Sequence, residues 1–445
     1  MNKEFIEQKE QVFYQVGNEV MNSLKSGEYL TINLSGEKSL FARFNNAKVR
    51  QIIEVEQYFI ELIFSCNNKS INYKLPFNFS FEKDSSSIRK ILDKCRNEFN
   101  TLPDDPFIVK PSNNGTSSEN YYGDIPDNIV SGILEEVSSL DFVGLYTSGY
   151  IIKANVNSKG QKHWFSTENF QADFSIYAPG QQAVKEIYAD MNWDKNKFKA
   201  KIDDAKNKLE ILQKPQKILS PGSYRTYFAP DAVSELVNML SWNGINMSSL
   251  KQGHSALKNL SEGTTLSSLF SLKEDFTLNL VPKFNELGEV FSDIIPIITD
   301  GKLENLLTNT RTAKEHKLET NYANSSESMR SAIVKSGNLA KENILKELDT
   351  GLYISNLHYL NWSDLTHGRL TGMTRYACFW VENGEIISPI NNLRFDETLY
   401  NFWGKNLIAL TDFRELIPQT GSYEERVIGG TLVPGMLVSE FNYTL

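Results

Sequence analysis

In the stretch Ile71-Asn72-Tyr73-Lys74-Leu75-Pro76-Phe77-Asn78-Phe79-Ser80-Phe81 an apolar side chain falls at every second position. Side chains along a strand alternate between its two faces, so the pattern describes a strand with one buried face. Pro76 lacks the amide hydrogen that a ladder needs, which points to a sheet edge or a bulge. Asn67 and Asn68 supply the turn before it. Upstream, Leu30, Ile32 and Leu34 alternate in the same way, as do Tyr58, Ile60, Leu62 and Phe64. Helical spacing flanks these strands. Phe5, Val12, Val16, Val20 and Leu24 precede them, with Gly27 as a stop. Ile88, Ile91, Leu92, Cys95 and Phe99 follow, with Ser85 to Ser87 as candidate caps. The N-terminal region therefore reads as helix, curved antiparallel sheet, helix.

Residues 101–125 are rich in Pro, Asn, Ser, Gly and Asp without periodicity, and read as a connecting loop. A helix restarts near Pro126 with Ile129, Ile133, Val137 and Leu140 on one face, and Tyr150 to Ala154 and Trp164 onward read as strands. From Asp194 to Leu212, Phe198, Ile202, Ala205, Leu209 and Leu212 mark a long helix. Its other face mixes Lys, Asp and Asn, which describes a solvated surface rather than a nucleic-acid contact. Pro215, Pro221 and Gly222 mark a boundary, followed by a strand at Tyr224 to Phe228 and a helix from Pro230. The rest holds short apolar runs such as Phe379 to Val381, Ile386 to Ile390 and Met436 to Phe441. The fold class is α+β, an N-terminal α/β region followed by a β-rich C-terminal domain. The divisions expected are 1–105, 106–213 and 214–445.

A chain of 445 residues exceeds one ordinary core, and 40% hydrophobic residues supply enough apolar side chains for several. With 46 basic against 55 acidic residues the net charge is -9, and no Lys/Arg block stands out, which argues against nucleic-acid binding. Three cysteines, Cys66, Cys95 and Cys378, form no metal-ligand spacing and fit reduced thiols in the cytosol. The N-terminal stretch has no signal-peptide pattern, and no apolar run approaches the roughly 20 residues of a membrane span. A cytoplasmic protein without membrane contact is expected.

No HExxH, Walker A, GxSxG or GxGxxG sequence is present. The histidines His163, His254, His316, His358 and His367 show no paired helical spacing of the kind zinc sites use. His358 and His367 flank Asp364, and a loop could close these three around a metal. The plainer reading is hydrogen-bonded loop residues. His254, after Gly253, reads as a turn histidine with no nucleophile beside it. Cys378, between Ala377 and Phe379, reads as packing in a buried strand.

Several stretches then carry a family resemblance. They are Phe41-Ala42-Arg43-Phe44 leading into Asn45, the turn Asn157-Ser158-Lys159-Gly160, and Pro221-Gly222-Ser223-Tyr224 followed by Ala229-Pro230. Four more follow in order: Gly351 to Leu357, Arg369 to Arg375, Val381 to Ile386 and Pro389 to Phe395. Together they resemble the TldD/PmbA family, also described as modulators of DNA gyrase, over nearly the whole chain. The active member of that family is similar to a zinc peptidase in which a helical HExxxH and a later cysteine hold the metal. By that resemblance the corresponding helix here carries Ser234 and Met239 at the histidine positions and Glu235 at the glutamate, with no cysteine after Pro418. A carboxylate without the ion cannot generate the low-pKa water that peptide hydrolysis needs at neutral pH.

The resemblance thus implies a metal-less TldE/PmbA-type subunit. No cofactor is expected in this chain, and zinc is expected in a TldD-type partner. The implied partners are that subunit or a second copy of this chain, together with unfolded peptide. Two other readings stay open: a stand-alone homodimeric hydrolase with a site built from His254, His358, Asp364 or Arg375, and a peptide-binding protein with no peptidase partner.

Overall fold

A computed structural model describes residues 3–180 and 182–444, leaving Met1, Asn2, Gln181 and Leu445 outside it. Helix α1 (Lys3–Met21) buries Phe13, Val16 and Val20. Strands β1 (Glu28–Asn45), β2 (Lys48–Cys66) and β3 (Lys69–Pro76) then pair antiparallel, and β3 forms a sheet edge, where Pro76 costs no ladder bond. The alternation does not extend to Phe81. The strand ends at Pro76, Phe79 takes a left-handed backbone (φ 54°), and Phe81 is the first residue of α2 (Phe81–Glu98). Asp84 holds this corner by accepting the backbone N–H groups of Asn78 (3.1 Å) and Ser80 (2.8 Å). Ser80, not Ser85 to Ser87, is therefore the N-cap position.

The segment expected to be an unstructured loop contains β4 (Thr116–Tyr121), paired parallel to a later strand. Its residues are polar up to Tyr121, with Thr116 and Ser118 exposed and the others half-buried, so it leaves no apolar alternation to read. Helix α3 (Ile129–Val137), strands β5 (Asp141–Asn157), β6 (Lys162–Tyr177) and β7 (Ala183–Asp190), and helix α4 (Lys195–Leu212) follow. Among the described residues these strands form one sheet in the order β3-β2-β1-β5-β6-β4, with β7 also on β6. The chain crosses back at β5, which pairs with β1 from Thr31↔Asn157 to Phe44↔Gly144.

The two faces of this sheet differ by residue parity. Even-numbered positions of β1 and β5 are mostly apolar, with Glu28, Lys38 and Ser148 as exceptions. One half, including Leu30, Ile32, Ile152 and Ala154, packs under α1 and α2; the other, including Ala42, Phe44, Phe142 and Tyr146, packs under α3 and α4. Odd-numbered positions carry most of the polar residues, although Phe41, Val143, Leu145 and Ile151 also fall there. Yet Glu37 is 1% exposed and Asn155 0%, and His163 of the neighbouring β6 is 1% exposed. C-terminal segments cover them. Asn155 donates to Asn33 (2.6 Å) and to Glu286 O (3.2 Å), and Gln161 donates to Asn155 (2.6 Å) and Leu287 O (3.1 Å), which meets the requirement that buried amides be partnered.

Beyond residue 220 the chain is β-rich. Strand β8 (Gly222–Phe228) lies inside a nine-stranded sheet whose edge is strand Asn356–Asp364, followed by Arg369–Arg375 and Arg394–Thr398. A six-stranded sheet contains Leu272–Asp275, Ser331–Val334, Gly430–Val433 and Glu415–Pro418. Helix α5 (Pro230–Asn238) packs between them, touching Asn356–Asp364 on one side and Glu415–Pro418 and Gly430–Val433 on the other. Residues 419–429, which join the last two strands of the six-stranded sheet, lie across the polar face of β1 and β5. Among the described residues no helix is long and apolar enough to cross a membrane.

Candidate functional site

Pro230 begins α5 where a missing N–H costs nothing, and Asp231 in the first turn suits the helix dipole. Ala232, Val233, Leu236 and Val237 are buried and fix the rotation of the helix. Ser234 (1% exposed) and Met239 (8%) therefore face packed protein. Ser234 Oγ accepts from Asn238 (3.4 Å), and Asn238 in turn accepts from Thr431 (3.0 Å). Glu235 points the other way and is exposed.

Glu235 is exposed on the side of the helix where Lys185 of β7 acts on it. Crowding by protein raises its carboxyl above the ordinary range, although its contact with water limits the effect, and Lys185 of β7 pulls it down. Lys185 also acts on His358. There burial depresses the imidazole first, with Arg375 and Lys185 adding to it, so the ring is neutral at physiological pH. Asn356 stands opposite Arg375 in the ladder and His358 opposite Met373, so His358 and Arg375 share one face as diagonal neighbours.

Lys185 thus acts on both Glu235 and His358, His358 is diagonal to Arg375, and the other candidates lie apart. Asp364 lies at the far end of the same strand and is bonded to His367 Nδ1 (2.8 Å), so His358 and His367 do not close around it. His254 follows helix Met247–Lys251, its N–H bonded to Ser249 O (3.0 Å). Cys378 is buried, its Sγ 3.2 Å from Arg375 O, one residue before strand Phe379–Glu382 rather than within it. Burial raises its thiol, which leaves it protonated. Sequence reading missed Lys185, which gives no local signal in β7, and Tyr359, which breaks the edge strand with a left-handed backbone (φ 55°).

At the start of α5 the polar face of α4 proves to be more than a solvated surface. Lys208 binds Glu186 (2.8 Å) and Asp204 (2.7 Å), and Lys201 reaches Glu186 (3.5 Å) and Glu415 (3.7 Å). Asp231 lies in their field and is raised to about 7, by burial first and then by Glu186 and Glu415. Elsewhere a cleft of about 480 Å³ lies between the polar face of the first sheet, at Asn33, Ser35 and Lys153, and C-terminal residues including Asn285, Arg330 and Glu425. Arg330 is held there between Phe276 (5.2 Å) and Phe291 (4.6 Å).

These features define an α+β protein in which one helix, wedged between two C-terminal sheets, leaves the Glu235 carboxylate exposed. The C-terminal domain model of the PmbA/TldA metallopeptidase family matches residues 221–444, half of the chain, and the chain belongs to that family. It is 29% identical to a Buchnera aphidicola protein named metalloprotease PmbA homolog over 123 residues, 27% of this chain and 26% of that relative, so the match spans about a quarter of the curated protein. TldE from Thermococcus kodakarensis superposes with a TM-score of 0.76 at 13% identity, over 98% of this chain and 100% of its own. A Thermotoga maritima protein named a candidate modulator of a DNA gyrase gives 0.74 at 15% identity, over 99% and 100%. At such identities the superpositions establish the fold.

The family description implies a metal ion. Zinc takes imidazole, thiolate or carboxylate donors. Ser234 and Met239 offer a hydroxyl and a thioether, both turned into packed protein, and no cysteine follows Pro418. Among the described residues no three His, Cys, Asp or Glu side chains are placed to hold an ion. The donor set at α5 does not fit zinc.

Proposed function

We propose that this chain is a cytoplasmic TldE/PmbA-type subunit that holds unfolded peptide for a metal-bearing TldD-type partner and does not itself cleave peptide bonds. The observation that carries this reading is the orientation of α5: both residues at the degenerate histidine positions, Ser234 and Met239, sit in packed protein, and of the three motif positions Glu235 alone is exposed. Strand Asn356–Asp364, which α5 touches, is a sheet edge, and such an edge takes up an extended chain through main-chain hydrogen bonds without a catalytic group.

The test is to purify the chain alone and with an HExxxH-bearing relative from the same cell. Zinc per protomer is measured by elemental analysis, alongside cleavage of an unfolded peptide with and without chelator. The expected result is cleavage only by the complex, with the zinc in the partner. Stoichiometric zinc and chelator-sensitive cleavage in the isolated chain would overturn the proposal and favour a stand-alone hydrolase, with His358 the first residue to change.

A further inference from the structure

Strand Asn356–Asp364 is interrupted where its register against Arg369–Arg375 shifts between His358 and Asn361. Tyr359 sits in that bulge with φ 55° and is 71% exposed, its ring 4.1 Å from that of His358. A bulky residue in the left-handed region is strained, and strain of this kind is kept where the surroundings fix it, often at ligand sites. The bulge turns an aromatic ring outward instead of burying it.

Four further groups border the same spot. Arg375 is exposed, stacked over Tyr376 (5.4 Å), and among the described residues no carboxylate pairs with its guanidinium. Asn356, directly opposite it and only 7% exposed, has a side-chain carbonyl without a hydrogen-bond partner. His358 is diagonal to Arg375 on the same face, with Cβ atoms ~7–8 Å apart in such a pair, within reach of both long side chains. Lys185 approaches from β7 while bound to Asp173 (2.6 Å), and the charges that act on His358 are the two cations Arg375 and Lys185. Lys185 is thus paired with Asp173 and also acts on Glu235, whereas Arg375 has no carboxylate partner among the described residues.

We propose that Arg375, with Asn356 and His358 beside it, forms a subsite for a carboxylate of a bound peptide, either an acidic side chain or the free C-terminus. A planar guanidinium matches a carboxylate through two parallel hydrogen bonds, and Tyr376 behind it holds the plane. The Asn356 amide is placed to bond the adjoining peptide unit, and the outward ring of Tyr359 closes one side. This subsite rests on the peptide-binding reading given above and adds to it a preference for peptides that bring a negative charge to the edge strand.

The experiment measures fluorescence anisotropy of short, unstructured labelled peptides on the full chain. Four peptides are compared, differing only in Glu or Gln at one position and in a free or amidated C-terminus. Wild type is compared with Arg375→Ala and Arg375→Lys, each checked for an unchanged thermal melt. Arg375→Ala is expected to weaken carboxylate-bearing peptides about tenfold and to leave the neutral peptide unchanged, with Arg375→Lys in between. Loss of the preference on amidation alone assigns the C-terminus, and loss on Glu→Gln alone assigns the side chain. Equal binding of all four peptides by wild type, or an equal loss for all four in Arg375→Ala, overturns the subsite while peptide binding stands. If wild type binds none of the peptides, the peptide-binding reading falls and the subsite falls with it.

Discussion

Lys153 Nζ lies 2.8 Å from Glu425 Oε1, an ion pair that fastens residues 419–429 to the polar face of β5. The next residue, Arg426, is 2% exposed and donates to Ser39 Oγ and to Gly149 O (both 3.3 Å) and to Asn169. Removing a buried charged donor leaves those acceptors without a partner. Arg426→Ala is expected to lower the stability by about 3 kcal/mol, read from urea unfolding. It is also expected to speed cleavage by chymotrypsin at Tyr423, which stands fully exposed in the same segment.

Gly288 has φ 71°, and a Cβ placed on it would meet Gln161 Nε2 at 1.5 Å and Asn155 Oδ1 at 2.4 Å. Neither amide has room to retreat, because each is tied to the other and to the segment that contains Gly288. Gly288→Ala should cost more than about 2 kcal/mol. Gly263→Ala, at an exposed glycine with nothing near it, serves as the control and should cost only the strain of its positive φ.

Asp231 gives stability a specific pH dependence. Its carboxyl titrates near 7 in the folded chain against about 3.8 when free of its surroundings. Below that lower value it is protonated in both states. As pH rises through the window the unfolded chain ionises first, so the stability contributed by this group falls until pH passes about 7. Asp231→Asn stays neutral throughout. The difference between variant and wild type, from urea midpoints at pH 5 to 8, should grow in favour of the variant by on the order of 1–2 kcal/mol, allowing for partial exposure.

Tyr359→Gly should remove the left-handed strain at the edge-strand bulge. The ring is mostly solvent-exposed, so little packing is lost, and a net gain of ~0.5–1 kcal/mol is expected after the added chain entropy of glycine. A thermal melt checks it. A lower melting temperature would mean that contact with His358 outweighs the backbone cost.

The sequence carried the elements that bury one apolar face. Phe198, Ile202, Ala205, Leu209 and Leu212 are the buried residues of α4, and Ile129, Ile133 and Val137 those of α3, because a stripe of period 3.6 survives in the residue order. What escaped was polar burial. Glu37, Asn155 and His163 are polar residues in strands, the mark of a solvent-facing side, and only segments far along the chain cover that face, as Glu286 does at Asn155 and Arg426 beside Ser39. The alternation through Phe77, Phe79 and Phe81 misled for a related reason. The three rings are spaced as in a strand, yet Asp84 turns the backbone into a helix through bonds that no periodicity records. At the site, Glu235 was legible through the family resemblance. Its neighbours Lys185 and His358 come from other strands, and no local pattern joins them.

The polar face of the first sheet also imposes an order on biosynthesis. β1 through β7 leave the ribosome long before residues 419–429, so for most of translation Glu37, Ser39 and Asn169 face water where Arg426 will later sit. An apolar face left open for that time would invite aggregation, whereas a hydrated polar one waits harmlessly. The composition of that face suits a surface that must be soluble first and buried afterwards, and seating of the arginine marks completion of the two-part molecule.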